Sequence, residues 1–580
     1  MRSLILRSSS IAIAIATLAC SDSTNPPPVP SKLTFINAPV STTAGQQMAA
    51  VLVAIQDAAG NTVTSSTDNV TLSTSTTPGQ GFLLGTRTVA AVNGVATFTD
   101  LHIDVARNDL RLYATATGLT LATSELFRVA SGPAAKLTYF SPPASARTDR
   151  NLPVITVGVL DAFENIVINR EINVTLALTP SNSTADLSGT TTVTTISGIA
   201  TFEGLRVTVA GDAFRLTATA DGITAAVSPV FSVRAPLAFT VLNAGYFHSC
   251  GVTTDGRAYC WGENVSGQLG VSGPAHATEP VAVAGGLLFT TVTTGRDHTC
   301  GVSGGLAYCW GSNGNGMLGT GFSSGTPAAV SGGIAFESAN AGYEHSCGIT
   351  PAHVAYCWGY NGTGGLGDGS VTGTSTPVAV SGGLAFASVS AGRFFTCGLT
   401  TAKRGYCWGD NSFGELGDSS SASRNLPAPV SGQLEFATIS AGGFHACALT
   451  SAGVAYCWGD NSNGALGTGS LGGLGYAPLA VAGGLTFATI SAGNRHTCAV
   501  TNDGVGYCWG GGGMLGDGTT TTRVVPTRVA GDLKFRNISA GRFHSCGITT
   551  DGIAYCWGSN GTGQLGNGTT TFSAAPTRVE

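Results

Sequence analysis

From residue 236 to its end, this chain of 580 residues repeats one phrase seven times. Each copy centres on Trp-Gly, and six of the seven continue as W-G-x-N-x-x-G-x-L-G. The chain has 7 tryptophans, and each opens one copy: Trp261, Trp310, Trp358, Trp408, Trp458, Trp509 and Trp557. A second phrase precedes each tryptophan, as in AGYFHSCGVTTDGRAYC at 244–260. A period of about 50 residues indicates a modular β-architecture, because a unit of that size needs neighbours to bury its apolar face.

Composition restricts both the fold class and the partners. Only 10% of the residues are charged, 83 are glycine, and the net charge is −5 without a block of like charges. Abundant Gly, Ser and Thr favour an all-β protein, and 580 residues are too many for a single core. Nucleic-acid binding needs a clustered basic surface, so we expect no nucleic-acid partner.

Pro and Gly clusters divide each repeat into four short strands, the number in one propeller blade. In order, a repeat reads as a Pro-x-x-Val strand, GG-x-x-F, [IV]-x-A-G, H-x-C, a turn, Y-C-W-G and a loop. The first repeat begins at Leu237 without a Pro-x-x-Val strand, and the chain ends with such a strand at 576–580. We therefore predict that the C-terminal strand completes the first blade and closes the ring, which removes open sheet edges.

The series resembles the regulator of chromosome condensation repeat family over about residues 237–580. The resemblance implies a seven-bladed β-propeller, which we assign to residues 236–580. The sixth repeat departs from the family pattern, because Gly510–Gly513 replaces a longer loop and the Asn is missing.

Each repeat also contains two cysteines, spaced C-x9-C in six repeats and C-x8-C in one. In a hairpin with a short turn these positions face each other at a Cα separation of roughly 4.5–5.5 Å, within disulfide range. We predict seven disulfides: Cys250 with Cys260, Cys300 with Cys309, Cys347 with Cys357, Cys397 with Cys407, Cys447 with Cys457, Cys498 with Cys508, and Cys546 with Cys556. Free thiols, or a metal site made by the His and two Cys of a repeat, are the alternatives, although zinc clips favour closer cysteines. Position 395 is Phe where the other six repeats have His, which indicates packing between blades.

Two further domains precede the repeats, at residues 32–132 and 133–235. Residues 32–129 align with 136–233 at a constant offset of 104 and without a gap, as in KLTF at 32–35 and KLTY at 136–139. Alternating apolar and polar positions between Gly, Asn and Asp turns predict antiparallel β-sandwiches. About 100 residues per copy suits an immunoglobulin-like fold, and the copies resemble the immunoglobulin-like repeats of bacterial surface proteins. We expect them to act as a stalk, with adhesion as the alternative.

The N-terminus has the layout of an export signal at residues 1–20. Arg2 and Arg7 precede an apolar run at 11–19 that is too short to span a bilayer. The run ends in TLAC, which resembles a bacterial lipobox and implies lipidation of Cys20; ordinary secretion is the alternative. A proline-rich linker follows at 21–31. We expect an envelope lipoprotein, on the outer membrane if the cell has two membranes, in contact with the membrane only through its lipid.

Within the invariant phrase A-G-x-x-H/F, the two middle positions differ in every blade. Ring geometry places equivalent positions on one face, and Tyr, Phe and Arg are enriched there, as in protein interfaces. We assign partner binding to Tyr246, Phe247, Arg296, Asp297, Tyr343, Glu344, Arg393, Phe394, Phe444, Asn494, Arg495, Arg542 and Phe543. The alternative is that these are exposed turns that tolerate any residue.

The sequence favours a monomeric, non-catalytic propeller that binds a protein or a glycan. We identify no catalytic residues, no metal ligands and no cofactor. A secreted inhibitor of an enzyme is one alternative, since a similar secreted bacterial propeller inhibits β-lactamases. A polysaccharide-active enzyme is another. The resemblance also implies guanyl-nucleotide exchange on a nuclear small GTPase, which an exported chain without a basic patch does not favour.

Overall fold

The computed structural model describes residues 27–74, 82–179 and 186–580, and every regular element in these ranges is a β-strand. The all-β prediction is confirmed. The chain divides into two compact units, Met1–Ala235 and Pro236–Glu580. The predicted signal at 1–20 with Cys20, and linker residues 21–26, lie outside the described residues. Across the described ranges, no helix has the length and apolarity needed to cross a membrane.

The first copy in the N-terminal unit forms small sheets around one apolar core. The core contains Val53, Ile55, Phe98, Ile103 and Leu112, all at most 1% exposed. The strands, grouped by sheet, are Lys32–Asn37, Val51–Gln56 and Val95–Phe98; Ala122–Thr123, Tyr113–Thr115, Asn69–Ser73 and Thr88–Ala90; Thr42–Thr43, Phe127–Ala130 and Arg107–Leu110; Leu83–Leu84 and His102–Ile103.

The second copy repeats this pattern with strands at the same offset and a core of its own around Val157, Phe202 and Phe214. Its larger sheet has nine strands: Ala146–Arg147, Phe231–Arg234, Gly211–Ala220, Ile223–Val227, Lys136–Ser141, Ile155–Leu160, Ile199–Phe202, Asn173–Thr179 and Thr192–Thr194. Leu187–Ser188 and Arg206–Val207 form a separate pair.

The C-terminal unit contains seven four-stranded antiparallel sheets, each made of four strands consecutive in the chain. We number them blades 1 to 7 and number the strands in each by chain order. The first strands are Phe239–Ala244, Thr291–Thr294, Ser338–Ala341, Phe386–Ala391, Phe436–Ala441, Phe487–Ala492 and Phe535–Ala540. The second are His248–Thr253, His298–Ser303, His345–Ile349, Phe395–Thr400, His445–Thr450, His496–Thr501 and His544–Thr549.

The third strands carry the Y-C-W-G phrase and the fourth carry the Pro-x-x-Val segments or their equivalents. The third are Ala258–Glu263, Leu306–Gly311, Ala355–Gly359, Gly405–Gly409, Ala455–Asp460, Gly506–Gly510 and Ala554–Gly558. The fourth are His276–Ala282, Ser324–Ala329, Thr374–Ala379, Arg424–Pro429, Leu474–Ala480, Arg523–Arg528 and Ser573–Arg578.

The predicted exchange of a strand between the two ends of the propeller is wrong. Ser573–Arg578 pairs with Ala554–Gly558 inside blade 7, and blade 1 already has a fourth strand of its own, His276–Ala282. The Pro-x-x-Val segment thus ends one blade instead of beginning the next. The loop after Y-C-W-G returns the chain antiparallel along the strand it has just left, which is a more local connection than crossing to the next blade.

The ring closes instead through side-chain and backbone contacts between blades 7 and 1, of the kinds that join the other pairs of blades. At the closing boundary, Trp261 Nε1 donates a hydrogen bond to the Gln564 carbonyl oxygen at 3.0 Å. Gly566 has a φ of +66°, and a Cβ there would lie 2.7 Å from the Trp261 ring nitrogen, so only glycine fits beneath the indole. All seven tryptophans are fully buried between blades.

A buried hydrogen-bond relay crosses six of the seven blade boundaries. At the closing boundary, the Ser249 hydroxyl donates its single proton to the Gln564 carbonyl oxygen at 3.0 Å. It therefore accepts from His544, whose Nε2 lies 2.7 Å away. The histidine pairs are His248–Thr299, His298–Ser346, His345–Thr396, His445–Thr497, His496–Ser545 and His544–Ser249. This relay holds the H-x-C strands in one orientation around the ring.

Candidate functional site

The turn between the first and second strands has the same geometry in every blade and brings the variable A-G-x-x-H/F positions together. Within blade 1, the Gly245 amide donates to the His248 carbonyl oxygen at 2.9 Å. Between blades, the Tyr246 amide donates to Gly295 O at 3.2 Å, and the Arg542 amide donates to Gly245 O at 3.0 Å. The bond within the blade recurs in all seven blades, and the bond between blades recurs at six of the seven boundaries. The first variable residues of these six blades line the ring axis, and Arg296 of blade 2 is the exception.

All seven turns line one cavity of about 160 Å³ on the axis. Its wall consists of the last residues of the first strands and the glycines of the turns, together with Tyr246, Tyr343, Arg393, Asn494 and Arg542. Gly443 leaves room for the Asn494 amide, since a Cβ at 443 would lie 2.1 Å from Asn494 Oδ1. We call the residues at the end of this cavity, the thirteen assigned to partner binding, the axial face.

Aromatic rings of the axial face contact one another across several blades. The centroids of Tyr246 and Tyr343 are 4.9 Å apart, although blade 2 lies between their blades. Phe543 packs on Phe247 at 6.0 Å, and Phe394 packs on Tyr343 at 5.5 Å. Distances of this range are those of favourable aromatic pairs. Five of the six assigned aromatic residues therefore form one connected cluster, whereas Phe444 makes its ring contact with Phe413.

Three arginines cover these rings. Arg296 lies 4.8 Å from the Tyr343 centroid. Arg393 lies 5.5, 4.9 and 4.7 Å from Tyr343, Phe394 and Phe444, respectively. Arg542 lies 5.2, 5.3 and 4.4 Å from Tyr246, Phe247 and Phe543. All these separations are within the range of cation–π attraction.

The acidic residues of the face are grouped in blades 2 and 3. Arg296 forms ion pairs with Asp297 at 3.0 Å and with Glu344 at 3.2 Å. Asn315 Nδ2 donates to the other Glu344 oxygen at 2.9 Å. Burial raises the pKa of Asp297, and Arg296 and Arg542 oppose that rise.

Two assigned residues stand apart from the aromatic cluster. Asn494 is buried and lines the cavity, whereas Arg495 is exposed and makes none of the ring contacts described for the other arginines.

Sequence reasoning missed a second set of residues beside the axial face. The residue after Y-C-W-G lies next to the second variable position, because its amide donates to that residue's carbonyl oxygen, as in Tyr360 N to Glu344 O at 2.8 Å. Tyr360 packs on Phe394 at 5.4 Å, and Phe413 in the following loop packs on Phe444 at the same distance. Position-by-position variation among repeats, the signal that identified A-G-x-x-H/F, is also present after Y-C-W-G: Glu263, Ser312, Tyr360, Asp410, Asp460, Gly511 and Ser559.

The cysteines lie beneath this face, fully buried, and in each blade the two stand directly opposite each other on the second and third strands. The bonded pairs are Cys250 with Cys260, Cys300 with Cys309, Cys347 with Cys357, Cys397 with Cys407, Cys447 with Cys457, Cys498 with Cys508, and Cys546 with Cys556.

The geometry of these pairs differs from our expectation in one respect. The S–S distances are 2.08–2.20 Å, but the Cα separations are 4.0–4.1 Å, shorter than the separation we expected. Within the described ranges, no group of three or more His, Cys, Asp or Glu side chains is arranged to hold a metal ion.

Comparison with known proteins identifies the family of the repeats and supports the fold. Two family models, both described as Regulator of chromosome condensation (RCC1) repeat, match this chain. One matches residues 240–268, 386–415, 436–465 and 535–564, and the other 255–302, 354–399, 404–449, 452–500 and 551–580. No curated protein sequence matches.

Solved structures support the propeller fold. Human WBSCR16 is 21% identical with a TM-score of 0.51, over 56% of this chain and 90% of its own. The structure of Kap60 bound to yeast RCC1 (Prp20) gives 22% identity and 0.51, over 59% and 85%. Prp20p from Saccharomyces cerevisiae gives 21% and 0.50, over 59% and 87%. At these identities the likeness concerns the fold alone.

Proposed function

The C-terminal unit belongs to the regulator of chromosome condensation repeat family, and from this premise we propose that it is a non-catalytic propeller that binds a protein through its axial face. A similar propeller supports this proposal, because the structure of Prp20p is described together with its binding properties to Gsp1p and histones. Binding of a protein by this chain, and the use of the axial face for it, are our proposal.

The observation that carries the proposal is the convergence of blade-specific side chains on one surface. The framework of each repeat is constant, whereas the residues of the axial face differ in every blade and contact one another. Tyr, Phe and Arg are the residues that most often dominate binding energy in interfaces. Half-buried rings and guanidinium groups also lose little conformational freedom on binding, because their neighbours already position them.

We further propose that the protein is exported and anchored in the cell envelope by a lipid on Cys20. The charged start, the short apolar run and the TLAC end support this proposal. Seven cysteine pairs at bonding distance also support it, because disulfides persist in oxidising compartments. The two domains at 32–132 and 133–235 would then serve as a stalk.

Binding is tested with two partly exposed rings, one on the axial face and one beside it. Phe543 is 36% and Phe413 is 38% exposed, so replacing them removes contact surface with little loss of core packing. The double variant Phe543→Ser with Phe413→Ser should reduce capture of an envelope protein at least tenfold in a pull-down with the purified oxidised protein.

The matched control is Leu288→Ser. Leu288 is 59% exposed and forms an isolated antiparallel β-bridge with Arg257. Both residues lie at the opposite end of the strands from the axial face. This variant should capture the same protein as the wild type. Equal capture by the double variant and the wild type would contradict the assignment of the axial face.

Anchoring is tested separately with Cys20→Ser. We expect this change to abolish incorporation of labelled fatty acid and to move the protein from the membrane fraction to the soluble fraction. Retention of the label would exclude Cys20 as the lipidation site.

A further inference from the structure

Among the described residues, two arginines of the axial face have no carboxylate at ion-pairing distance, although Asp297 attracts Arg542 from farther away. Arg393 and Arg542 make cation–π contacts with three rings each, but among the described residues neither forms an ion pair with a carboxylate. Arg542 Nε is buried and has no hydrogen-bond partner in the described part of the chain. Arg296 differs, because Asp297 and Glu344 both pair with it.

Arg393 and Arg542 converge on the same pair of rings. Arg542 lies over Tyr246 and Arg393 lies over Tyr343, and these two rings are in contact with each other. Burial raises the pKa of the Tyr246 hydroxyl, and the charges of both arginines oppose that rise. Arg393 and Arg542 come from blades 4 and 7, so they approach the cavity from different parts of the ring.

The chemistry of this arrangement calls for an anion. Two half-buried cations repel each other, and a buried N–H group without an acceptor destabilises the folded protein. A carboxylate is the best acceptor for the N–H groups of a guanidinium, because its two oxygens accept two parallel hydrogen bonds. The aromatic rings lie within cation–π distance of both guanidinium groups, and each guanidinium has five N–H donors.

The cavity limits the size of what can enter. Its volume of about 160 Å³ is close to that of the engineered cavities of about 150 Å³ that admit one benzene. A cavity of this size can hold one side chain but not a folded chain segment. The rings of Tyr246 and Tyr343 in its wall can pack against the methylene groups of a glutamate.

We propose that the end of the axial cavity is a carboxylate-recognition site, in which Arg393 and Arg542 bind an acidic side chain presented by the protein partner. This inference rests on the proposed function and names the chemistry of the contact at its centre. The surrounding rings then pack against the residues that flank the acidic one.

The test uses a hexaglutamate peptide with blocked ends, with hexaglutamine and inorganic phosphate as parallel probes, in calorimetric titrations of the purified protein. Hexaglutamate should bind, hexaglutamine should not, and raising the salt to about 0.5 M should weaken binding several-fold. The double variant Arg393→Gln with Arg542→Gln should reduce hexaglutamate affinity at least tenfold. The double lysine variant, Arg393→Lys with Arg542→Lys, should reduce affinity less, because it keeps both charges and loses the bidentate and stacking geometry of the guanidinium groups.

Arg257→Gln is the matched control, since it removes the same charge from an exposed turn at the opposite end of the strands from the axial face. Its affinity should stay within twofold of the wild type. Equal losses in Arg257→Gln and the double glutamine variant would overturn the site. The absence of hexaglutamate binding at millimolar concentration, or binding of phosphate as tight as that of hexaglutamate, would also overturn it. A captured partner could be lost in the double serine variant of Phe543 and Phe413 but retained in the double glutamine variant. That result would support binding through the axial face and contradict the carboxylate site.

Discussion

One blade boundary replaces the buried histidine relay with apolar residues on both sides. Phe395 occupies the histidine position of blade 4, and Ala446 occupies the hydroxyl position of blade 5. Both side chains are buried in one apolar cluster. The sequence alone indicates packing at position 395, and the structure supplies the reason that it is tolerated, namely that the partner hydroxyl is missing as well. Changing both members of a polar pair is nearly neutral, whereas changing one leaves a buried group unsatisfied.

This pairing predicts a strong coupling between the two positions. Phe395→His and Ala446→Ser should each destabilise the propeller, the former by about 1–3 kcal/mol. The double variant should recover part of that loss, because the introduced hydroxyl can accept from the introduced histidine and donate to the Glu415 carbonyl oxygen, which already accepts from Trp458 at 2.8 Å. Urea unfolding of the four proteins of this double-mutant cycle measures the coupling, and additive losses would contradict it.

The six relay histidines predict acid sensitivity. Burial lowers the pKa of His248, His298, His496 and His544 to about 3, and of His345 and His445 to about 4. In the unfolded chain their pKa is near 6.5, so below that pH the unfolded state binds protons that the folded state does not. Stability should therefore be constant above about pH 7 and fall as the pH decreases, by up to about 2 kcal/mol per histidine at pH 5.

Thermal unfolding between about pH 8 and pH 5, the range in which the unfolded histidines titrate, measures this loss. The double variant His298→Phe with Ser346→Ala, which copies the apolar boundary between blades 4 and 5, should show a shallower decrease in Tm. An unchanged pH profile in that variant would show that other groups cause the acid sensitivity.

At the scale of the single blade, the third-to-fourth strand loop is held by one asparagine in six repeats. Asn264 Oδ1 accepts a hydrogen bond from the Leu269 amide at 3.0 Å, and its Nδ2 donates to carbonyl oxygens of the same loop. Blade 6 has no such asparagine and shortens the loop with glycines. A Cβ at Gly512 would lie 2.1 Å from the Thr520 carbonyl oxygen, so direct backbone packing replaces the amide.

Each blade also contains one cysteine pair, and its removal should be tolerated locally. Replacing both Cys300 and Cys309 with alanine should lower the free energy of unfolding by about 2–3 kcal/mol, because the pair closes a loop of roughly ten residues in the unfolded chain. Chemical unfolding with and without reductant measures the effect, and reductant should lower the stability of the wild type by more than that of the variant. Mass spectrometry of unreduced peptides provides the control, and pairs other than those within one blade would contradict the register.

At the scale of the whole molecule, every blade is made from one continuous segment, and the ring has no strand that joins its two ends. The propeller should therefore accept new termini between any two blades. We predict that a circular permutant folds when it joins Glu580 to Pro236 through a Gly-Gly linker and begins at Gly383, between blades 3 and 4.

Its Tm should lie within a few degrees of that of the unpermuted propeller, since the same blade boundaries form. A permutant opened inside blade 4, between the second and third strands at Lys403, is the matched comparison and should be less stable, because it divides a sheet and a disulfide between the two ends. Equal stability of both permutants would contradict the view that the blade is the folding unit.

The sequence alone determined the β class, the seven blades, the repeated strand pattern of the N-terminal half and the register of the cysteines. These properties follow from local periodicity, and a two-residue side-chain alternation with regular turns leaves little freedom in strand pairing. The tertiary structure decided that the Pro-x-x-Val strand belongs to the preceding blade. This pairing depends on the path of the loop before the strand, and the loop sequence is compatible with pairing in the preceding or the following blade. It also decided that Tyr246 meets Tyr343 across blade 2, and that Arg393 and Arg542 gather over these rings without an ion pair among the described residues. Such contacts join different blades through the curvature of the ring, which no repeat contains by itself.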